Sequence, residues 1–473
     1  MAKVLFVQDV LFESFGPECL CAALKARGHA CDLWVLASTG RRGFLRRLRA
    51  YRPDILAFSI SSFGFRWALD AAREAKRELP LVTVFGGPHP TFFREFALEE
   101  GVDYACVGEG EGALVDLAEA LDRGGDPAGI ANLARRTGEG GLVLNPLRPL
   151  VADLDALPDP DRGVYFQYAP LRDLSYKRFM VSRGCPYNCT YCFNKAAKGL
   201  YAGLGPYVRR RSPERVVEEI LRVRSRYGIR TAGFIDDTFT TDKRWLTAFL
   251  DLYRREVSLP FTCVVRINEI DEEAAEALGW AGCTYASFGL EVGNERLRNT
   301  LLGRQMSDGE IRAKSALLHN AGVKFLTYNM FGVPGETLED GLSTVRLNAE
   351  IGTDLVGASV FQPLLGTEIH RTCVREGYLD PEFPLDTLDR MTARSPFRNM
   401  PDLRALENLQ KLAFIGVAFP RLIPLLGRLA RLPLRPLYAL LYKGSLFLRF
   451  KVRFGLSTLE TLRLGMGSKG RFG

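Results

Sequence analysis

The feature that most constrains the fold is the regular alternation of short apolar runs with amphipathic segments. In the first 150 residues the runs are five to seven residues long, and the segments between them have the apolar spacing of helices. Such alternation predicts an α/β fold, a Rossmann-like parallel sheet with helices on both faces. We predict strands at 3–9, 30–35, 55–60, 81–85 and 103–107, and helices at 17–27, 41–51, 67–78 and 114–121.

A second series of apolar runs begins at about Phe179 and predicts repeated βα units, hence a full or partial barrel. The runs lie at 179–184, 232–237, 261–267, 285–291, 324–333 and 355–363. A stretch rich in proline and aspartate at 157–166 is typical of an interdomain linker. The predicted organisation is a first domain at 1–150, a linker at 151–174, a barrel domain at 175–380 and a helical, basic region at 381–473.

Three cysteines, Cys185, Cys189 and Cys192, follow the first apolar run of the second series within one short loop. One disulfide cannot satisfy all three, but three thiolates can surround a metal cluster. A four-iron cluster held by three thiolates keeps one iron open to a substrate or cofactor. A structural zinc site normally needs four protein ligands, and no fourth Cys or His lies close by. Zinc and three unrelated cysteines remain as alternatives.

The composition is that of a globular protein, with 47% hydrophobic and 25% charged residues. The N-terminus lacks the pattern of a secretory signal, and no run of about 18 uninterrupted apolar residues predicts a membrane span. We expect a reducing cytoplasmic setting, because ten scattered cysteines make no disulfide framework. The seven cysteines outside the loop, among them Cys21 and Cys31, are expected to be small core or surface residues.

The motif Cys185-Pro-Tyr-Asn-Cys189-Thr-Tyr-Cys192 has the CxxxCxxC spacing of the radical S-adenosylmethionine (SAM) enzymes. The chain resembles that family over about residues 175–380. The resemblance implies that Cys185, Cys189 and Cys192 ligate a 4Fe-4S cluster and that Tyr191 lies beside the SAM adenine.

Three further motifs match this family, at the ends of the second, fourth and fifth predicted barrel strands. The second-strand motif ends in Asp236 and Asp237 where many members have Glu, so the carboxylate that receives the SAM amino group stays open. The resemblance implies that Glu291 binds the SAM ribose and that a glycine turn passes close to the cofactor. The residues of that turn are Gly332, Pro334 and Gly335. Taken singly, each motif also has an ordinary explanation as a helix cap, a loop acid or a turn.

The first domain resembles the cobalamin-binding domain that precedes the radical SAM barrel in one large class of these enzymes. The match covers about residues 3–125 and rests on four segments, at 15–29, 52–62, 84–93 and 102–111. Small residues suit this role, because a flat corrin needs close approach to the backbone at the sheet edge. The implied cobalamin-binding residues are Ser59, Ser61, Ser62, Gly86, Gly87, His89, Gly108, Glu109 and Gly110.

The lower ligand of cobalt stays open at this point. No DxHxxG sequence is present to supply a histidine, and His89 is the one histidine at the predicted ligand edge. The resemblance favours cobalt with no protein histidine below it. A generic nucleotide-binding unit is the alternative for this domain, although neither GxGxxG after the first strand nor a Walker motif supports it.

The net charge of +8 is concentrated at the C-terminal end, where residues 421–473 contain 11 Lys or Arg and one acid. Apolar runs at 411–454 are interrupted by Arg and by Pro. This pattern suits a helical cap on the barrel, an interfacial helix at the inner face of a membrane, or both. Nucleic-acid binding is not expected, because the basic residues alternate with long aliphatic side chains and no recognition motif accompanies them.

Together the two resemblances imply a cobalamin-dependent radical SAM enzyme whose cofactors are a 4Fe-4S cluster, SAM and cobalamin. We expect methylation of an unactivated carbon of a small-molecule or lipid-like substrate through a 5′-deoxyadenosyl radical and methylcobalamin. An external electron donor, such as a flavodoxin or ferredoxin, would reduce the cluster. The alternatives are cyclisation, ring contraction or oxidation with the same cofactors, and a non-catalytic metal- or cobalamin-binding sensor. The substrate and any catalytic side chain are not identifiable from the sequence.

Overall fold

The N-terminal part of the chain forms a seven-stranded sheet in a computed structural model that describes residues 1–36, 40–62, 64–383 and 394–467. Its strands are β1 (Lys3–Gln8), β2 (Ala30–Val35), β3 (Ile55–Ser59), β4 (Val82–Gly86), β5 (Tyr104–Cys106), β6 (Leu133–Arg136) and β7 (Leu142–Leu144). Its helices are α1 (Phe15–Ala26), α2 (Gly40–Tyr51), α3 (Arg66–Glu78), α4 (Pro88–Phe92) and α5 (Glu111–Asp122).

The strand order of this sheet is β2-β1-β3-β4-β5-β6-β7. Strands β1 to β5 are parallel, which confirms the predicted α/β fold. The prediction missed β6 and β7, which extend the sheet as antiparallel strands. A tight turn joins them, closed by the Thr137 amide bonding to the Gly141 carbonyl at 2.7 Å. These two strands are only four and three residues long, so their apolar signal is weak.

The second sheet contains six parallel strands in the order β15-β14-β13-β12-β11-β8. The strands are β8 (Tyr176–Phe179), β11 (Thr231–Phe234), β12 (Phe261–Val264), β13 (Cys283–Glu291), β14 (Lys324–Phe331) and β15 (Leu355–Val360). The intervening helices are α8 (Phe193–Leu200), α9 (Pro213–Tyr227), α10 (Lys243–Glu256), α11 (Glu272–Ala281), α12 (Asp308–Asn320) and α13 (Leu338–Glu350). The first and last strands do not pair in the sheet, so the predicted barrel is a partial one.

The first barrel strand lies earlier than predicted. We expected the run 179–184 to be this strand, but β8 ends at Phe179 and the chain leaves the sheet there. Strand β9 (Ser182–Arg183) pairs instead with strand β10 (Arg209–Arg210) in a separate antiparallel ribbon. The Asp236 carboxylate stabilises the backbone where the chain leaves the sheet. It accepts hydrogen bonds from the backbone amides of Val181 at 3.0 Å and Ser182 at 2.6 Å.

The C-terminal helices cover the outer end of the second sheet. They are α14 (Glu368–Arg375), α15 (Leu403–Ala418), α16 (Ile423–Leu429), α17 (Arg435–Arg453) and α18 (Thr458–Gly467), and residues 468–473 lie outside the described part of the chain. Leu406, Leu409 and Leu412 are buried in one cluster with Leu342 and Val345 of α13. The predicted helical cap is therefore confirmed for the described residues. None of the described helices is long and apolar enough to cross a membrane.

Cys21 of α1 and Cys31 of β2 form a disulfide. The prediction of two separate core cysteines was therefore wrong about the bond, although both side chains are buried. Their Cα atoms are 5.4 Å apart, because the turn after α1 brings the helix end back alongside the next strand.

A buried cluster of charges joins the two sheets through the predicted linker, which also contains α6 (Gly163–Phe166) and α7 (Ala169–Arg172). The Arg162 guanidinium donates to Glu13 at 2.9 Å, to Glu18 at 3.3 Å and to Glu219 of α9 at 2.7 Å. Burial raises the pKa of Glu18, and the charge of Arg162 offsets only part of that rise. One buried cation thus compensates carboxylates from both halves of the molecule.

We predict that Arg162→Leu lowers the free energy of unfolding by about 3–5 kcal/mol, because it leaves the buried carboxylates of Glu13 and Glu18 without their ion-pair partner. Arg172→Leu is the matched control. Its partner is Asp173, both side chains are about half exposed, and the expected loss is below about 1 kcal/mol. Urea denaturation of the full chain measures both values. Equal losses for the two variants would show that the buried cluster does not hold the sheets together.

Candidate functional site

A cavity of about 480 Å³ lies where the carboxyl ends of the two parallel sheets face each other. Ligands of parallel α/β sheets bind at this edge. The first sheet contributes Ser59, Gly86, Gly87, Cys106, Gly108, Glu109 and Gly110, and the second contributes Met180, Ser182, Arg183, Ile235, Asp236 and Asp237. The α8 region adds Phe193, Asn194, Ala197 and Tyr201.

Six of the nine predicted cobalamin-binding residues line the cavity: Ser59, Gly86, Gly87, Gly108, Glu109 and Gly110. All but Glu109 are small, and these five residues form the small-residue wall of the cavity. Gly87 has a φ of +96°, and a Cβ there would lie 2.6 Å from the Ile60 carbonyl oxygen, so only glycine fits this turn. A flat ring could approach the backbone closely along this wall.

The structure does not bring Ser61, Ser62 and His89 to the cavity. The His89 ring is buried, stacks on Phe65 at 4.3 Å and on Phe93 at 4.9 Å, and contacts the Ser62 hydroxyl at 3.2 Å. Burial lowers the pKa of His89 to about 4, so the ring is neutral at pH 7. His89 is thus packed among aromatic side chains, and the geometry gives no support to its alternative role as a cobalt ligand.

Glu109 connects the first sheet to the chain around the cysteine loop. Its carboxylate accepts hydrogen bonds from Arg209 at 2.8 Å and from Arg183 at 3.2 Å. Burial alone would raise the pKa of Glu109, but the hydrogen bonds from Arg209 and the charge of Arg183 outweigh it and lower the pKa. The Glu109 amide donates to the Tyr201 hydroxyl at 2.7 Å. Phe92 of α4 also stacks on Phe193, 4.8 Å between ring centres, beside the loop.

The three cysteines of the loop lie close enough to influence one another. Cys189 is buried, whereas Cys185 and Cys192 are half-buried. Burial raises the pKa of Cys185 to about 11, and the charges of Asp237, Cys192 and Cys189 raise it further. Among the described residues, no three or more His, Cys, Asp or Glu side chains converge to hold a single metal ion. A four-iron cluster is bound at separate irons, so its thiolates need not meet at one point.

Two arginines that the sequence analysis did not select point at the loop. Arg266, just beyond β12, donates to the Cys189 sulfur at 3.5 Å and lies 3.7 Å from the centre of the Tyr187 ring. Arg304 donates to the same sulfur at 3.9 Å. Both arginines are buried. The only signal in the sequence was the position of Arg266 just after a predicted strand, and none marked Arg304. The Cys192 sulfur accepts from the amide of Asn194 at 3.5 Å.

Asp236 and Asp237 follow β11 and both line the cavity, as the second-strand motif predicts. One oxygen of Asp236 accepts from Val181 and Ser182, and the other is buried without a hydrogen-bond partner among the described residues. Burial raises the pKa of Asp236 to about 6, although its hydrogen bonds oppose the rise. Burial also raises the pKa of Asp237, against a hydrogen bond from Asn194. The site therefore contains an unused buried acceptor.

Tyr191 and Glu291 are in direct contact, and neither these two residues nor the three cysteines of the loop line the cavity. The Tyr191 hydroxyl donates to the Glu291 carboxylate at 2.8 Å, and Arg304 donates to the same hydroxyl at 3.2 Å. Glu291 ends β13 with a φ of +70°, at a register shift between β13 and β14. This conformation is costly for a residue other than glycine and is characteristic of functional sites.

The glycine turn after β14 is fixed by Glu336, which the sequence analysis quoted within its motif but assigned no role. The Glu336 carboxyl accepts from the amide of Gly332 at 2.5 Å and from that of Val333 at 3.0 Å. Gly332 and Gly335 have φ values of +83° and +74°, and Pro334 between them is buried. Burial raises the pKa of Glu336 to about 8 despite these two hydrogen bonds.

Comparisons with known families agree with both halves of this site. The model of the radical SAM superfamily matches residues 179–347, and the model of the B12 binding domain matches residues 9–118. The first span contains the cysteine loop and the ends of β11, β13 and β14, and the second contains the small-residue wall.

Two relatives cover most of the chain. An uncharacterized methyltransferase of Pyrococcus horikoshii is 29% identical over 342 residues, which cover 70% of this chain and 72% of the relative. The cytidylyl-2-hydroxyethylphosphonate methyltransferase of Streptomyces wedmorensis is 25% identical, with coverage of 70% and 68%.

Among solved structures, the radical S-adenosylmethionine methyltransferase TsrM of Kitasatospora setae, with cobalamin and a [4Fe-4S] cluster bound, has the same fold. The TM-score is 0.67 at 18% identity, and the match covers 91% of this chain and 99% of that one.

The raised pKa of Glu336 predicts a specific dependence of stability on pH. The folded protein keeps this proton up to about pH 8, whereas the unfolded chain releases it near the ordinary value of 4.5. The contribution of Glu336 to the free energy of unfolding is therefore fully present below pH 4.5. It is lost as pH rises toward 8, by at most about 1.4 kcal/mol per pH unit.

Glu336→Gln keeps an oxygen acceptor for the two amides and should remove this loss. Glu339→Gln is the control. Glu339 is an exposed side chain in the first turn of α13, so its substitution should leave the loss of stability unchanged. Urea denaturation at pH 5 and pH 8 measures the difference. The same decline in Glu336→Gln as in the unaltered chain would contradict the assignment.

Proposed function

We propose that this chain, a cobalamin-dependent radical SAM enzyme of the methyltransferase type, methylates an unactivated carbon of a small hydrophobic substrate within the cavity between its two sheets. The observation that carries this proposal is that the small-residue wall, the aspartate pair and the side chains next to the cysteine loop line one cavity. Two cofactors and a substrate carbon must meet for methyl transfer, and shared walls supply the necessary proximity.

The donor set around the loop suits a 4Fe-4S cluster. In this proposal Cys185, Cys189 and Cys192 hold the cluster, and Arg266 and Arg304 are positioning residues that donate hydrogen bonds to the Cys189 sulfur. N–H donors and positive charge near a cluster sulfur raise its reduction potential. Zinc remains the competing metal, and iron and sulfide analysis of the purified protein distinguishes them.

Bound SAM would extend across the loop in this proposal. The unpartnered oxygen of Asp236, or the neighbouring Asp237, receives the amino group, since Asp236 is a buried acceptor and both residues line the cavity. Glu291 receives the ribose hydroxyls once its bond to Tyr191 opens. The Tyr191 ring and the backbone at Gly332, Pro334 and Gly335 then flank the adenine.

Cobalamin would lie against the wall formed by Ser59, Gly86, Gly87, Gly108 and Gly110, with no protein histidine below cobalt. When bound, the cofactors supply a carbon radical on the substrate and a transferable methyl group. The protein orients them and excludes water. Phe15, Phe58 and Leu114 line the same cavity and favour an apolar substrate. An external one-electron donor such as a flavodoxin or ferredoxin is part of the proposal.

The test is anaerobic turnover of the reconstituted enzyme with SAM labelled on its methyl group and a panel of hydrophobic substrates. Methylated product that carries the label, together with 5′-deoxyadenosine, is the expected result. Product without label would contradict methyl transfer and would support cyclisation, ring contraction or oxidation instead. A protein with a full cluster and corrin that forms no 5′-deoxyadenosine would instead be a sensor.

Substitution of the cysteines separates cluster ligands from core thiols. Cys185→Ala, Cys189→Ala and Cys192→Ala should each remove most of the iron and the visible absorption of the cluster, because three thiolates are the minimum set. Cys263→Ala is the control, since Cys263 is buried in the core next to Cys283, 3.8 Å between sulfurs. Iron retained in any loop variant at the control level would remove that cysteine from the ligand set.

Arg304→Gln should shift the midpoint potential of the cluster to a more negative value, because it removes a positive charge next to the Cys189 sulfur. Arg255→Gln, on an exposed side chain paired with Glu256, serves as control. Potentiometric titration followed by electron paramagnetic resonance measures both variants at equal iron content. An unchanged potential in Arg304→Gln would show that the arginine does not tune the cluster.

A further inference from the structure

We infer that α16 and α17 form a docking surface for an anionic phospholipid bilayer, lying flat on it with an apolar face. We call this surface the leucine face; it comprises Leu425, Leu432, Leu434, Leu437, Leu440, Leu441, Leu448 and Val452. Of the 17 large hydrophobic residues exposed in the described chain, 12 lie between Phe419 and Leu462. Large contiguous apolar surface of this kind marks an interaction site.

Helix α17 is apolar on both sides, which a simple cap does not require. Its inner side buries Tyr438, Tyr442 and Leu446, spaced four residues apart, and the Tyr442 hydroxyl donates to the Ala358 carbonyl of β15 at 2.6 Å. The outer side exposes Leu440 by 67% and Leu448 by 57%. At 100° per residue, Leu437, Leu440, Leu441, Leu448 and Val452 fall within one third of the helix circumference. The packing thus explains the inner side and leaves the outer one unpartnered among the described residues.

Basic side chains border the leucine face. Arg421, Arg428, Arg431 and Lys443 are exposed, and none of them has an acidic partner within 4 Å in the part of the chain that the structure describes. Glu460 is the one acid among residues 421–473 and lies in α18. Its carboxylate accepts hydrogen bonds from the backbone amides of Ser175 and Ser457. Apolar side chains flanked by unpaired cations are the composition of helices that lie in the interface of anionic membranes.

A second copy of this chain fits the leucine face less well than a bilayer does. A two-fold dimer through this face would bring the same patch of both copies together. Arg428, Arg431 and Lys443 of both copies would then border one interface that supplies no acidic partner among the described residues, and an excess of like charge is unfavourable. In an anionic bilayer the leucines would insert into the acyl-chain region, and the cations would bind the negatively charged headgroups.

Binding of the full-length protein to vesicles tests this inference. Vesicles of phosphatidylglycerol and phosphatidylcholine in equal parts are compared by sedimentation with vesicles of phosphatidylcholine alone. The double variant L440Q/L448Q removes two exposed leucines, and L221Q removes an exposed leucine from α9 as the matched control. Truncation is unsuitable, because α15 to α17 contribute to a buried core. Equal melting temperatures of the variants establish that the fold is kept.

We expect binding to the anionic vesicles, weakened by about tenfold for each leucine removed and unchanged in L221Q. High salt and R428Q/K443Q should also weaken binding. Equal binding to both vesicle types, no binding to either, or full binding by L440Q/L448Q would overturn the inference. So would self-association of the unaltered chain that L440Q/L448Q abolishes while vesicle binding stays absent. None of these readouts depends on catalytic activity, so a failed methylation assay leaves the result intact.

Discussion

Ion pairs between Glu109 and the arginines Arg183 and Arg209 join the two walls of the cavity. Glu109 lies at the carboxyl edge of the first sheet, whereas both arginines belong to the ribbon that borders the cysteine loop. Because this carboxylate is mostly buried, its ion pairs are screened little by solvent. Together with the Arg162 cluster, this contact joins two cavity walls that come from chain segments that no strand pairing connects.

Arginine side chains compensate buried or partly buried acceptors at three places in the structure. Arg162 compensates carboxylates from both sheets, Arg209 connects the cavity walls, and Arg266 with Arg304 surrounds the Cys189 sulfur. In each case an arginine makes several directional hydrogen bonds at once, which a lysine could not reproduce. These arginines surround a cavity whose lining combines small and apolar residues with charged ones, among them Glu109 and Asp236.

The sequence predicted the parallel strands, the order of the motifs along them and the edge at which they meet, because hydrophobic period and strand direction determine these features. It did not predict the departure at Met180, which depends on the distant Asp236, or the bond between Cys21 and Cys31, which depends on how α1 packs against β2. For the same reason it could not separate Gly87, which lines the cavity, from His89 two residues later, which packs inward. The assignment of individual cofactor ligands and the domain boundaries stay predictions.

We propose that the corrin binds in the cavity and the cluster at the cysteine loop beside it, and the coupling between their spins tests this arrangement most directly. Pulsed electron paramagnetic resonance on the reconstituted protein, with cobalt as Co(II) and the cluster reduced, measures the dipolar coupling between them. Strong coupling is the predicted result, because Gly184 and Phe193, which flank the cysteine loop, line the cavity. Two magnetically independent spectra, in a protein with full occupancy of both cofactors, would contradict it.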